Sequence, residues 1–104
     1  MEGSYRMGEL YSRPDLATAR AVWKQAGKTV VFTNGCYDIL HPGHIRLLEA
    51  ARSLGDVLVL GLNTDQSVSR IKGPGRPLLP QDERASLIMA LEAVDAVTFF
   101  DEET

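Results

Sequence analysis

The sequence predicts a doubly wound α/β fold, in which helices cover both faces of a parallel sheet. Two observations carry the prediction. Short apolar runs of strand length alternate with longer segments in which apolar residues recur at helical spacing. One of these runs, residues 57–62, is apolar without alternation, which is typical of a parallel strand buried on both faces. Alternating strands and helices are the pattern of such a sheet.

Length and composition fit one globular domain. The chain has 104 residues, of which 44% are hydrophobic, and its formal net charge of −3 disfavours a nucleic-acid partner. No apolar run approaches the roughly twenty residues needed to span a bilayer, so no membrane partner is expected. The first ten residues lack the apolar segment of a signal peptide, which predicts a cytoplasmic protein. Cys36 is the only cysteine, which excludes an internal disulfide and a cysteine-rich metal site.

The amino-terminal part is predicted to be a tail and a helix, over residues 1–27. Residues 1–13 are mixed and polar and are expected to form a loose tail, and a helix over residues 15–24 ends at Gly27. The nucleotide-binding part would then occupy residues 28–104. It begins with a buried strand over residues 28–33 that Asn34-Gly35 breaks.

The remaining elements follow in order. Their predicted bounds are a helix over 42–52 with a proline in its first turn, a strand over 57–62, a capped short helix over 66–70, an irregular loop over 72–77, a helix over 80–92 and a strand over 94–100. Three parallel strands are few for this class, and the last lies almost at the end of the sequence. We therefore expect either a fold truncated at its carboxyl end or another segment covering that edge, and an exposed edge is compatible with a homodimer.

The segment from Thr33 to His44, TNGCYDILHPGH, carries the strongest functional signal. It contains both histidines of the chain, three residues apart, where the first strand is followed by a helix. Ligands of open α/β sheets bind at the carboxyl ends of strands, and helix N-termini attract anions through free N–H groups and the helix dipole. Gly43 would let a ligand approach the backbone closely. His41 and His44 are thus predicted to direct imidazole donors at one phosphate group.

Two other interpretations of the histidines stay open at this point. They could belong to a capped helix start without a ligand, or they could join Asp38 or Cys36 in a transition-metal site. Their spacing matches no established zinc pattern, so no metal site is predicted.

The same segment resembles the signature of the cytidylyltransferase-like nucleotidyltransferases, whose hallmark is H-x-G-H. Residues 30–100 most resemble the adenylyltransferase domains of ADP-heptose synthases, through TNGCYDILHPGH, GLNTDQSV, IKGPGRP and ERASLIMALEAVDAV in the same order. The resemblance covers about two thirds of the chain. It implies a Rossmann-like fold and a transferase that condenses ATP, with Mg²⁺, and a heptose 1-phosphate into ADP-heptose and pyrophosphate, in the pathway to lipopolysaccharide.

The resemblance also implies roles for individual residues. His41, His44 and Lys72 would be catalytic. A second group would bind nucleotide and phosphate, and a third would bind the sugar substrate. The second group is Thr33, Asn34, Gly35, Cys36, Gly43 and Arg84, and the third is Asp38, Asn63, Asp65 and Arg76. From the residues alone, Asp65 could instead cap a helix, Arg84 could pair with Asp82 or Glu83, and Lys72 and Arg76 could be solvated loop residues.

The sequence departs from the family pattern after its last strand. A later motif rich in serine and threonine, which helps bind phosphates in the family, does not occur, so we expect the 104-residue chain to lack part of the site. No sugar-kinase segment precedes the motif, which favours the stand-alone adenylyltransferase form. Alternative functions are a glycerol-3-phosphate cytidylyltransferase or another H-x-G-H enzyme, and a nucleotide-binding module without turnover.

Overall fold

The computed structural model describes residues 7–101, which form one four-stranded parallel sheet with helices on both faces. The strand order is β1-β4-β3-β2. In chain order the elements are β1 (Glu9–Leu10), α1 (Arg13–Gln25), β2 (Val30–Gly35), α2 (Pro42–Arg52), β3 (Val57–Asn63), α3 (Asp65–Lys72), α4 (Gln81–Met89) and β4 (Ala96–Phe100). The predicted doubly wound α/β class is confirmed.

Strand order explains why the helices divide between the two faces. From β2 to β3 and from β3 to β4, the chain moves along the sheet towards β1. From β1 to β2, it moves along the sheet in the opposite direction. Right-handed crossovers place helices of opposite steps on opposite faces. Accordingly Leu48 of α2 and Ile88 of α4 pack in one core cluster, while Leu16 and Trp23 of α1 pack in the other. The packing role of Trp23 includes an edge contact with Tyr11.

The amino-terminal segment differs from its prediction as a loose tail. Residues 1–6 lie outside the described part, but Glu9 and Leu10 pair in register with Ala96 and Val97 of β4. A two-residue strand is too short to show the alternation by which strands are recognised, so the pattern missed it. This strand covers the free edge of β4, which is the second of the two alternatives for that edge.

Three element boundaries also differ. Asn34 and Gly35 were predicted to break β2, yet they continue it, because both residues pair with β3. Lys72 was placed in a loop, but it is the last residue of α3. The fourth helix ends at Met89, before the predicted residue 92. Propensity alone is a weak guide where tertiary pairing decides the conformation.

The parallel arrangement brings the functional segments together at one edge. Gly35 lies beside Leu62, and Asn63 lies beside Phe100, so β2, β3 and β4 all end at the same side of the sheet. The loops that carry the predicted site residues leave from that side. Among the described residues, no helix has the length and apolar character needed to cross a membrane.

Candidate active site

A cleft of about 500 Å³ lies at the carboxyl edge of the sheet, beside the start of α2. Eight of the predicted site residues line it: Asn34, Gly35, Cys36, Asp38, His41, His44, Lys72 and Arg76. Tyr37 and Ile39 complete the lining. Five predicted residues do not line it, namely Thr33, Gly43, Asn63, Asp65 and Arg84. The sequence therefore located the cleft, and the structure divides its residues into lining and supporting groups.

The two histidines cap helix α2 and lock each other's orientation. His41 is the N-cap residue, and its Nδ1 accepts a hydrogen bond from the backbone N–H of Gly43 at 3.1 Å. The Nδ1 of His44 accepts in turn from the backbone N–H of His41 at 3.2 Å. The ring centroids lie 3.9 Å apart. Backbone N–H groups at the start of α2 thus fix the orientation of both rings.

These bonds determine which nitrogen of each ring carries hydrogen. A backbone N–H can only donate, so the Nδ1 atom that faces it must be an acceptor. The hydrogen of each imidazole then sits on Nε2. Each histidine therefore has an N–H donor at Nε2, the ring nitrogen that is not bonded to a backbone N–H. This geometry suits hydrogen bonding to phosphate oxygens in the cleft.

The electrostatic surroundings keep His44 neutral. Burial lowers the pKa of the His44 imidazole below its ordinary value, and Coulomb interactions with His41 and Lys72 lower that pKa further. Protonation of Nδ1 would also break the bond from the His41 N–H. The free site therefore has His44 as a neutral donor close to the cation of Lys72.

Gly43 makes room for the ring of His41. A Cβ atom at Gly43 would lie 2.8 Å from Cε1 and 3.0 Å from Nδ1 of His41. The space that the missing side chain leaves is therefore filled by the His41 ring. Glycine at this position allows the N-cap imidazole to fold over the first turn of α2.

The start of α2 also differs from a bare anion-binding helix terminus. The expectation was that free backbone N–H groups would bind phosphate, but Pro42 has none and Gly43 donates to the His41 ring. The N–H groups of His44 and Ile45 point to the carbonyl oxygen of His41, at 2.9 and 3.4 Å. The capping residue satisfies these donors, so the imidazoles and the helix dipole remain to attract an anion.

Tyr37 is a site residue that the sequence analysis missed. Its φ of 47° lies in the left-handed region, which is uncommon for a residue other than glycine. The ring makes an edge contact with His44, at a centroid distance of 5.3 Å, and covers Gly35, where a Cβ would lie 2.7 Å from it. Its pKa is raised by burial, against a hydrogen bond with the Thr33 side chain. The sequence signal that could have indicated Tyr37 is its position as an aromatic residue inside the motif TNGCYDILHPGH.

Asp38 holds the loop between α3 and α4 against the histidine loop. The carboxylate is 4% exposed, and it accepts bonds from Arg76 Nε at 2.6 Å, from the Leu78 N–H at 2.7 Å and from the Leu79 N–H at 3.3 Å. Burial acts to raise the pKa of Asp38, but these hydrogen bonds and the charge of Arg76 outweigh it, and the pKa lies below its ordinary value. The Asp38 carboxylate is thus hydrogen-bonded to protein groups through both of its oxygens.

Asn63 and Asp65 lie at the end of β3, as predicted, and contact protein groups. The Asn63 amide nitrogen donates to Ser67 Oγ at 2.8 Å, and the Asp65 carboxylate accepts from Arg84 at 2.7 Å. The N-cap of α3 is Thr64, whose hydroxyl accepts from the Ser67 N–H. The alternative of Asp65 as a capping side chain is therefore wrong.

Arg84 is fully buried, and its guanidinium is hydrogen-bonded to other protein groups. Its guanidinium donates to the carbonyl oxygens of Leu79, Cys36 and Asn63 and to the Asp65 carboxylate, over distances of 2.7 to 3.0 Å. The alternative pairing with Asp82 or Glu83 is wrong, since the ion pair is with Asp65.

The described residues offer no ready-made metal centre. Within residues 7–101, no group of three or more His, Cys, Asp and Glu side chains is arranged to hold a metal ion. Asp38, which lines the cleft together with the histidines, is bound to Arg76 and two backbone N–H groups. A divalent cation at this site would have to bring most of its ligands with it, as the oxygens of a nucleotide triphosphate do.

A second cleft, of about 610 Å³, lies on the α1 face of the sheet. Its lining includes Trp23, Phe32, Val59 and Lys28. None of the predicted site residues lines it.

Comparison with known proteins identifies the class to which this fold and site belong. The cytidylyltransferase-like family matches residues 32–104. The chain belongs to this family, a class of nucleotidyltransferases, and the resemblance found in the histidine motif is confirmed.

Individual relatives are similar over most of the chain. It is 60% identical over 82 residues to the bifunctional protein HldE of Methylobacillus flagellatus, covering 79% of this chain and 17% of that protein. It is 61% identical over 84 residues to HldE of Mesorhizobium japonicum, covering 81% and 17%. The structure of a lipopolysaccharide core biosynthesis protein from Thermoplasma volcanium is similar, with a TM-score of 0.63 and 36% identity over 71% of this chain and 59% of that chain. The chain spans about a fifth of the length of the HldE relatives.

Proposed function

We propose that this chain forms the nucleotide- and phosphate-binding part of a cytoplasmic adenylyltransferase that condenses ATP with a heptose 1-phosphate. The observation that carries the proposal is that His41, His44, Lys72 and Arg76 all line one cleft, while a backbone N–H holds the Nδ1 of each imidazole and leaves Nε2 as its donor. The names of the relatives support the transferase class and a link to lipopolysaccharide synthesis. Heptose and ATP come from the resemblance of the motifs to ADP-heptose synthases.

The proposed reaction is a single displacement at phosphorus. An oxygen of the sugar 1-phosphate attacks the α-phosphorus of ATP, the bond from that phosphorus to the bridging oxygen of the β-phosphate breaks, and pyrophosphate leaves. A phosphate monoester has a second pKa of about 6, so the nucleophile is already a dianion near neutral pH. The reaction therefore requires no general base. This agrees with a cleft in which the ring nitrogens act as hydrogen-bond donors.

The chemical difficulty is electrostatic, and the cleft addresses it. Two polyanions must approach each other, and negative charge on the transferred group must be stabilised as the bonds rearrange. His41 and His44 would donate from Nε2 to phosphate oxygens of ATP. Their orientation is fixed before the ligand arrives, because each Nδ1 is held by a backbone N–H. Donors that are already oriented stabilise the transition state without reorganisation.

The two cations would act from the other side of the cleft. Lys72 ends α3 and is close enough to lower the pKa of His44, so its ammonium and the imidazole act on the same space. Arg76 lines the cleft while its Nε binds Asp38, which fixes the guanidinium in place. These residues would contact the α-phosphate or the incoming sugar phosphate. Mg²⁺ would enter with ATP, bound to its phosphate oxygens.

Pyrophosphate release tests the proposal directly. The protein is supplied with heptose 1-phosphate and Mg²⁺, with ATP in one series and CTP in the other. Turnover with ATP alone supports the proposal. Turnover with CTP and glycerol 3-phosphate would replace it by the cytidylyltransferase alternative. Binding of ATP without turnover would leave only a nucleotide-binding module.

Substitution of a histidine connects the activity to the cleft. His44→Ala is expected to lower kcat at least about tenfold, since loss of one fixed donor typically costs about 10²–10³ in rate. Ser53→Ala is a matched control, because it removes a polar group at the other end of the same helix, where Ser53 Oγ donates to Ala50. An unchanged kcat in the histidine variant, with folding intact, would remove the cleft from the reaction.

A further inference from the structure

We infer that Arg84 is a positioning residue that fixes the shape of the active-site cleft through protein contacts. The inference rests on the proposed function and differs from the phosphate-contact role that the family resemblance implies. Arg84 has a relative exposure of 0% and belongs to helix α4, beneath the loops at the carboxyl edge of the sheet. Nothing in its position presents the guanidinium to the cleft, whose lining does not include it.

The guanidinium connects four segments that surround the cleft. Nη1 donates to Cys36 O at 2.7 Å, just after β2, and to Asn63 O at 2.9 Å, the last residue of β3. Nη2 donates to Asp65 Oδ1 at 2.7 Å, at the start of α3, and Nε donates to Leu79 O at 3.0 Å, before α4. One planar side chain therefore sets the separation of the histidine loop from the helix that ends in the catalytic lysine.

Asp38 bonds the segment before α4 that Arg84 also bonds, but through its N–H groups. The Leu79 N–H donates to Asp38 Oδ1, while the Leu79 carbonyl oxygen accepts from Arg84 Nε. Leu79 is thus held between a buried carboxylate and a buried guanidinium. Because Asp38 also binds Arg76, the loop that carries Arg76 is fixed relative to both anchors.

The chemistry of arginine explains why this position depends on it. The guanidinium has five N–H donors in a rigid planar fork, and this one makes four bonds in three directions. Lysine keeps the charge but concentrates its donors on one atom, so it cannot reach the same four acceptors. A buried carbonyl oxygen that loses its donor is costly, and the loops would move to recover a partner.

A phosphate contact and a positioning role predict different behaviour without a ligand. If Arg84 touched phosphate, Arg84→Lys would weaken ATP binding and leave the empty site unchanged. If it positions the loops, the empty site itself changes. The imidazole ¹H–¹⁵N signals of His41 and His44 report that difference, because both rings are held by backbone N–H groups of the histidine loop. These signals are assigned with His41→Gln and His44→Gln.

The test compares Arg84→Lys with Arg52→Lys in the protein. Arg52 is a suitable control because its guanidinium also bonds a carbonyl oxygen, that of Gly55 at 2.8 Å, and a carboxylate, that of Asp95, but at the opposite edge of the sheet. We expect Arg84→Lys to shift both imidazole signals in the ligand-free protein and to lower kcat about 10²-fold, as displacements near 1 Å can do. Arg52→Lys should leave the imidazole signals unchanged and kcat within about twofold.

Each result decides between the alternatives. Unchanged imidazole signals with weakened binding of MgATP, measured by calorimetry, would overturn the inference in favour of a direct contact. Unchanged signals and unchanged kcat would also overturn it. If Arg84→Lys does not fold, Asp65→Ala removes one of the four bonds and should shift the same signals by a smaller amount. The comparison of ligand-free spectra stands even if the wild-type protein releases no pyrophosphate, so failure of the proposed function is seen separately.

Discussion

The Nδ1 atom of His44 accepts a hydrogen bond from the backbone N–H of His41, 3.2 Å away, and this bond defines the chemical state of the site. It places the hydrogen of the His44 ring on Nε2 and opposes protonation of the ring. The motif H-x-G-H therefore supplies a helix cap through Nδ1 and a pair of donors through Nε2 of the same two side chains.

The first prediction concerns the pH dependence of His44. Burial and Coulomb interactions with His41 and Lys72 lower its pKa, so an NMR titration should give a midpoint below the ordinary value of about 6.5 and a neutral Nε2–H ring at pH 7. The folded state then binds fewer protons than the unfolded state. The contribution of His44 to the free energy of unfolding is therefore complete above about pH 6.5 and declines as the pH falls towards the pKa of the folded state. His44→Gln should remove this pH dependence. A midpoint at or above 6.5 would contradict the assignment.

The second prediction concerns Gly43. Gly43→Ala should displace the His41 ring, because the new Cβ would lie 2.8 Å from it, and should weaken MgATP binding about tenfold in calorimetry. Stability should change little, since alanine is favourable in a helix. In the His41→Ala background the same substitution should have almost no further effect on MgATP affinity. Additive losses in the double variant would show that Gly43 acts independently of the ring.

The third prediction concerns Tyr37. Tyr37→Ala should lower kcat/KM about two- to tenfold through loss of the edge contact with His44, while Tyr37→Phe keeps the ring and should stay close to wild type. Tyr11→Ala is the control, because it removes an edge contact with Trp23 on the α1 face, where only stability should suffer. Equal kcat/KM losses in the two alanine variants would assign Tyr37 a purely structural role.

The fourth prediction concerns the acid stability that Asp38 provides. Asp38→Asn should lower the free energy of unfolding by about 2 kcal/mol at pH 7, because it removes the charge that holds Arg76 and two backbone N–H groups. The pKa of Asp38 is lowered in the folded protein, so this difference is complete above the ordinary pKa of about 3.9 and disappears as the pH falls through the folded value.

Urea unfolding at several pH values measures that difference. Asp82→Asn serves as its control, since Asp82 is exposed in the first turn of α4 and should contribute less than about 1 kcal/mol. A difference between Asp38→Asn and wild type that persists at low pH would show that lost packing, and not lost charge, is responsible.

Local patterns in the sequence were sufficient for the fold class and for the location of the cleft. Apolar runs and helical periodicity gave three of the four strands and the helices, because burial on a sheet or a helix face imposes a regular spacing. The histidine motif at the end of β2 gave six of the eight predicted residues that line the cleft, because parallel strands all end at one edge. The other two, Lys72 and Arg76, came from the family resemblance.

What only the tertiary structure decided is the partner of each polar side chain. The sequence by itself determined that His41, His44 and Lys72 share a site, but it could not show that Arg84 reaches Cys36, 48 residues away, or that Asp38 holds Leu79, 41 residues away. Such contacts join segments distant in the chain, and their geometry depends on how helices and strands pack. A short strand such as Glu9–Leu10 is likewise specified by its neighbour β4, since two residues have no periodicity of their own.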